Sequence, residues 1–212
     1  MRTLHFKNRP SINGFFSVVG KKEGEGPLKN WFDNISDDAH FGEKSWEKAE
    51  SKMLLTAVDW ALKAAGLTTE GADIYLGGDL LNQCAATNYT LRQLGIPYLG
   101  IYGACSTMAE SMILGASMVN GELAENVICG AGSHFCTAER QYRYPLEYGG
   151  QRPQTSQWTV TGTGVTVVSN LGQGPYITHA TIGKVIDYGI KDANNMGAAM
   201  APEKRIIGQY IF

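Results

Sequence analysis

The sequence predicts an α/β fold, a mostly parallel sheet covered by helices. Three observations carry that expectation. Three helix-then-strand steps follow one another, each helix is closed by a glycine, and glycine fills 26 of 212 positions without a G-X-Y period. That content exceeds the usual ~7% and points to tight turns and close backbone approaches. Hydrophobic residues make up 43% and charged residues 18%, enough apolar sequence for a packed core and too little charge for disorder. A net charge of −2 offers no basic face, so nucleic acid is not an expected partner.

Residues 14–28 read as an early strand followed by a Lys/Glu/Gly-rich solvated loop. The first clear helix starts at Ser45, a good N-cap. It carries Trp46, Ala49, Met53, Ala57, Trp60 and Ala64 at spacings of three and four, with Glu47 and Lys63 at the ends the helix dipole prefers. Gly66 closes it, and a strand follows at 74–77. A second helix at 85–94 ends at Gly95 with Pro97 beyond, and leads to a strand at 98–102. A third helix spans about 105–120, is closed by Gly121 and leads to a strand at 127–131. Its small residues Ala109, Gly115, Ala116 and Ser117, beside Met108, Met112 and Val119, mark it as a central, fully buried helix. Residues 134–157 hold three tyrosines, two prolines and three arginines without periodicity and read as a long ordered loop, a common seat of function. Residues 161–169 and 176–185 read as two strands of a hairpin about the turn 172–175.

No stretch reaches the ~18 uncharged apolar residues of a spanning helix, since Asp59 and Lys63 interrupt 53–67. The N-terminus lacks an apolar run before a cleavage site, so synthesis on the cytosolic side is expected. Cys84, Cys105, Cys129 and Cys136 show neither a CxxC pair nor zinc spacing and read as free thiols in a reducing compartment. No metal and no cofactor is expected, and no phosphate-binding glycine pattern follows any strand.

Three strand ends carry the candidate chemistry. The sharpest is Gly103-Ala104-Cys105-Ser106-Thr107, where strand turns into helix. Unpaired N–H groups and the positive dipole end at a helix start favour thiolate, which makes Cys105 a candidate nucleophile. The alternative is a small core cysteine that merely fits. The second is Gly77-Gly78-Asp79-Leu80-Leu81-Asn82-Gln83-Cys84, whose Asp79, Asn82 and Gln83 either face a ligand crevice at the strand ends or, for Asp79 and Asn82, cap the next helix. The third is Gly132-Ser133-His134 leading to Arg140 and Arg143. His134 is a site candidate or a structural hydrogen-bonder, and the arginines are carboxylate clamps or surface charges.

The chain resembles the stage V sporulation protein AD family of spore-forming bacteria, within the thiolase-like superfamily. The matching blocks are Glu25-Gly26-Pro27-Leu28, Lys44-Ser45-Trp46-Glu47, Gly78 to Gln83, Gly103 to Thr107, Thr137-Ala138-Glu139-Arg140-Gln141, Arg143-Tyr144-Pro145, Glu147-Tyr148-Gly149-Gly150-Gln151, Thr159-Val160-Thr161-Gly162 and Met196-Gly197. The resemblance implies a thiolase-like fold with a mixed, mainly parallel sheet, helices on both faces and the helix from Cys105 at its centre. It also implies a binding protein for dipicolinic acid, pyridine-2,6-dicarboxylate, in its uptake into the developing spore. Membrane proteins of the same operon are the implied partners, and a peripheral place at the inner spore membrane in the forespore is the implied location. Cys105 aligns with the nucleophile turn of ketosynthases and thiolases, so the competing expectation is an acyltransferase that uses it.

Thiolase-like proteins have two similar halves, and the resemblance covers one of them, residues 1–201. Residues 202–212 do not align, and a premature stop or frameshift is the expected cause. If about 400 Å² of apolar surface is bared, the forgone burial is on the order of 10 kcal/mol, so the chain alone is expected to be marginal, to self-associate through that layer or to be stabilised by a partner. A planar dianion needs donors for two carboxylates. The N–H groups of Cys105, Ser106 and Thr107 are expected to cradle one, Arg140 or Arg143 to clamp the other, and Asn82, Gln83 and His134 to orient the pyridine edge.

Overall fold

The structure, a computed structural model, describes residues 2–140, 143, 145, 148–151, 158–184, 189 and 191. The tail at 202–212 lies outside them. In chain order the elements are β1 (Arg2–His5), β2 (Ser11–Gly20), the short α1 (Lys21–Gly24), β3 (Asn34–Ser36), α2 (Trp46–Ala64), β4 (Ile74–Asp79), α3 (Ala85–Leu94), β5 (Tyr98–Gly100), α4 (Thr107–Asn120), β6 (Asn126–Ser133), α5 (Phe135–Arg140), β7 (Gly162–Ser169) and β8 (His179–Ile182). β2 to β7 form a six-stranded sheet in the order β3-β2-β7-β6-β4-β5, while β1 and β8 pair as a separate antiparallel ribbon.

The three expected helix-then-strand steps are present, and the sheet they build is mixed. β4 pairs in parallel with both β5 and β6, and β2 with β3. β7 lies antiparallel between β2 and β6. That insertion overturns the expected hairpin: both edges of β7 are hydrogen-bonded, so no edge is left for the segment after it. That segment pairs instead through β8 with β1, and an isolated bridge joins Ser11 and Tyr176. Ala180 of β8 then packs with Phe6 and with Ala116 of α4.

Helices cover both faces. Ser45 caps α2 by accepting from the Lys48 N–H at 3.3 Å. One stripe of α2 (Met53, Leu54, Ala57, Val58, Ala61) packs with Val18, Tyr75, Ile128, Val165, Val167 and Leu91 of α3. Trp60, which the periodicity placed on the buried stripe, is half exposed and stacks on Phe16. The opposite face is covered by α4, where Val119 packs with Leu76, Val127, Cys129 and Val168.

The helix expected from Cys105 begins with a 3-10 turn, Ala104–Ser106, and becomes α-helical at Thr107. Ala104 has φ +48°, a left-handed value that cannot continue into an α-turn. α4 is covered by the sheet and by the β1/β8 ribbon, so Thr107, Ser111, Gly115, Ala116 and Val119 are buried while Ala109, Glu110 and Leu114 stay exposed. The loop expected from residue 134 opens with α5. No helix among the described residues is long and apolar enough to cross a membrane.

β4 and β6 approach closely at Gly77 and Gly130. Gly77 has φ +153°, and a Cβ there would overlap the carbonyl oxygen of Gly130. Gly77→Ala is therefore expected to cost roughly 3 kcal/mol or more, from backbone strain and overpacking together. Urea denaturation at fixed pH measures it, and an unchanged midpoint would contradict the close approach.

Candidate functional site

The parallel strands β4, β5 and β6 end on one edge of the sheet, so Asp79, Cys105 and the residues after Ser133 share that edge, where open α/β sheets bind ligands. The edge has two sides. Asp79 lies two steps of two from Tyr75, whose ring lines the α2 side. Cys105 leads into α4 on the opposite side.

On the α4 side, Cys105 is exposed in its 3-10 turn. The Ser106 N–H donates to Gly103 O at 3.0 Å and the Thr107 N–H to Ala104 O. Two of the three expected cradle donors thus close the turn itself. The Gly103 N–H donates to Thr107 Oγ1 at 3.2 Å. Ser106 Oγ lies 2.7 Å from Gly103 O and 2.6 Å from Glu110 Oε1, so its single proton serves one of them at a time. Glu110 thus stands beside the helix start, the place an acidic side chain prefers.

Asn82 and Gln83 are exposed on the adjoining turn. Gln83 (φ +57°) and Cys84 (φ +52°) are consecutive left-handed residues, and Asn88 Nδ2 braces them by donating to both of their carbonyls, at 2.7 and 2.9 Å. Cys84 Sγ donates to Ile101 O at 3.6 Å, which seats this turn against the segment leading to Cys105. Asp79 is buried. Its Oδ1 accepts from the Leu81 N–H at 2.8 Å, and its Oδ2 from the N–H and hydroxyl of Thr87 at 2.7 and 2.6 Å. Asp79 therefore ties the turn to Thr87 in the first turn of α3, whose N-cap is Cys84. Burial pushes its carboxyl above the ordinary range against those three bonds.

On the α2 side, His134 is fully buried. Its Nδ1 accepts from the Cys136 N–H at 3.2 Å, so Nε2 carries the proton and donates to Ala39 O at 2.9 Å. Burial holds it below its ordinary pKa. Its ring lies among Trp46 and Phe135. Arg140 pairs with Glu47 at 2.8 Å, and Arg143 with Glu139 at 3.5 Å. The edge thus carries the Cys105 turn and the Asn82–Gln83 turn, linked through Cys84 and Ile101, on one side, whereas His134, Arg140 and Arg143 gather at the start of α2.

Sequence reasoning missed Glu50. It sits on the apolar stripe of α2, three and seven residues before Met53 and Ala57, and an acid in that register was the available signal. Glu50 is 2% exposed and its Oε2 accepts from Thr137 Oγ1 at 2.6 Å. Burial pushes its carboxyl up to about 8. Among the described residues no cluster of three or more His, Cys, Asp or Glu could hold a metal ion.

A carboxyl protonated in the fold and ionised when unfolded contributes stability at low pH that is lost as pH rises. For Glu50 the loss runs from the ordinary glutamate range to about 8. His134 acts with the opposite sign, since its neutral form is favoured and its contribution is lost as pH falls below about 6.5. Urea unfolding across pH 5 to 9 is expected to show several kcal/mol lost on the alkaline side in the wild type, and a much flatter alkaline limb in Glu50→Gln. Parallel curves would place the titration elsewhere.

Residues 1–208 match the family described as stage V sporulation protein AD, which extends past Ala201. The chain is 45% identical over 201 residues to Stage V sporulation protein AD of Bacillus subtilis (strain 168), covering 95% of this chain and 60% of that protein. It spans less than two thirds of that relative's length. Among solved structures it is similar to 3-oxoacyl-(acyl-carrier-protein) synthase III from Aquifex aeolicus VF5, at 17% identity over 76% of this chain and 53% of that one, with a TM-score of 0.52. It is also similar to the priming β-ketosynthase of the R1128 polyketide biosynthetic pathway, at 16% identity over 80% of this chain and 52% of that one, with a TM-score of 0.52. These likenesses show a shared thiolase-like fold.

Proposed function

The chain belongs to the stage V sporulation protein AD family, and from that premise we propose that it is a non-enzymatic sporulation protein that binds dipicolinate. In this reading it serves uptake into the developing spore, beside membrane proteins of the same operon at the inner spore membrane. One observation carries the site: the exposed Asn82–Gln83 turn is seated, through Cys84 on Ile101, against the segment that leads to the exposed Cys105 turn, at the C-terminal edge of parallel strands. Side-chain amides and the remaining donors of the helix start suit a planar dicarboxylate. Arg140 and Arg143 join only by exchanging Glu47 and Glu139 for the ligand.

The same geometry sets the sign of one test. Glu110 holds its negative charge where the dianion would dock. Removing a charge a few ångströms away at the surface is worth about 1 kcal/mol, so Glu110→Gln is expected to tighten dipicolinate binding about fivefold in calorimetric titration. Cys105→Ala and Gln83→Ala are expected to weaken it. Unchanged affinity in Cys105→Ala, Gln83→Ala and Arg143→Ala removes this site.

A second reading has a specific observation in its favour: Cys105 is an exposed thiol at a helix start in a fold shared with ketosynthases. In acyl transfer its thiolate would attack a thioester carbonyl, the acyl–sulfur bond to coenzyme A would break, and coenzyme A would leave as a thiolate that takes up a proton. His134 is poorly suited as the base, because both ring nitrogens are engaged and its ring lies on the α2 side. Incubation with acyl-CoA followed by mass spectrometry decides: an acyl adduct on Cys105 supports transfer, and an unmodified thiol supports binding alone.

A further inference from the structure

On the α2 side of the sheet, near the strand ends, three buried side-chain oxygens have no hydrogen-bond partner among the described residues: Tyr75 Oη, Glu50 Oε1 and Thr163 Oγ1. Their residues are 0%, 2% and 3% exposed. Buried polar atoms are seldom left unpaired, because their lost hydration is not returned.

The register sets Tyr75 and Thr163 at successive α2-facing positions along β6, and Thr137, which follows that strand, ties Glu50 to the same end. Gly132 pairs with Asp79 of β4 on one side and with Thr163 of β7 on the other. All three stand an even number of residues from Tyr75, Ile128 and Val165, which line the α2 core, so they face α2. Glycine places no side chain between Asp79 and Thr163. Thr163 Oγ1 leans into that opening, 2.7 Å from where a Cβ on Gly132 would stand. Two residues back, Gly130 leaves a second opening, and the Tyr75 hydroxyl lies over it. Glu50 descends from α2 with Oε2 spent on Thr137, near enough to Asp79 for the two charges to act on each other.

We infer that the glycine floor at 130 and 132 holds one or two internal water molecules, hydrogen-bonded to Glu50 Oε1, Tyr75 Oη and Thr163 Oγ1. The donor set selects water. Two of the three groups are hydroxyls that both donate and accept, and the third belongs to a carboxyl whose other oxygen is already paired. An apolar occupant would leave all three bonds unmade. The water also solvates Glu50 against the acids that face it, Asp79 from β4 and Glu47 on its own helix, with the Thr137 hydroxyl of α5 as its partner.

A crystal structure at a resolution that orders internal water tests this in wild type, Gly132→Ala and Tyr75→Phe. The wild type is expected to show a density peak at about 2.6–3.2 Å from at least two of the three oxygens. The added methyl of Gly132→Ala is expected to displace it, and Tyr75→Phe to keep it with one bond fewer. Direct pairing of the oxygens with no peak, or a peak unmoved by Gly132→Ala, overturns the inference. Should Gly132→Ala not fold, Thr163→Val keeps the side-chain shape and removes the hydroxyl. The alkaline limb of its stability curve, and that of Tyr75→Phe, is then expected to move to higher pH. Limbs unmoved in both variants overturn it equally.

Discussion

The alternation of side chains along β4 and β6 governs the strand-end edge. Successive residues of a strand point to opposite faces, so position parity decides which layer each strand-end group enters. Asp79 shares parity with Tyr75 and so falls under α2 and α3. Cys105, reached after β5, starts the helix that covers the other face. One edge therefore carries two environments. The α2 side is buried, aromatic and internally paired, and the α4 side is exposed and built of turns.

That division explains why residues grouped by their place along the chain do not act as one set. Each of the three strand ends was a sound ligand position, and all three lie on the same edge. His134 is nevertheless drawn inward by Ala39 O and the Cys136 N–H, within an aromatic packing of Trp46, Phe135 and Trp158. Its arginine neighbours meet Glu47 and Glu139, acids brought close by α2 and α5. Cys105 keeps its exposure because it stands in the 3-10 turn before α4, ahead of Thr107, where burial against the sheet begins, and of Ala116, where the β1/β8 ribbon packs.

Three of the six non-glycine left-handed residues among those described lie at this edge. Gln83, Cys84 and Ala104 all have φ near +50°, a conformation that costs non-glycine residues free energy and persists only where surroundings impose it. The Asn88 amide and the Cys84–Ile101 contact are the restraints that impose it on the first turn. A thiol and two amides are thereby held by backbone whose strain is balanced by packing beneath it.

Much was legible in the sequence because it is local. Ser45 as a cap, the 3.6-residue stripe of α2, the glycine-terminated helices and the apolar strands depend on neighbours a turn or two away, and α2, α3 and β4 to β6 appear where those signals put them. The Cys105 turn was legible for the same reason, as a strand-to-helix junction of small residues. What the tertiary structure alone decided is non-local. Whether β7 pairs with β8 or slips between β2 and β6 depends on which edges are free, and nothing within residues 161–185 records that. Likewise Glu50 looks like one polar residue of a helix until α5 and Asp79 close over it, and only that enclosure makes its proton part of the fold.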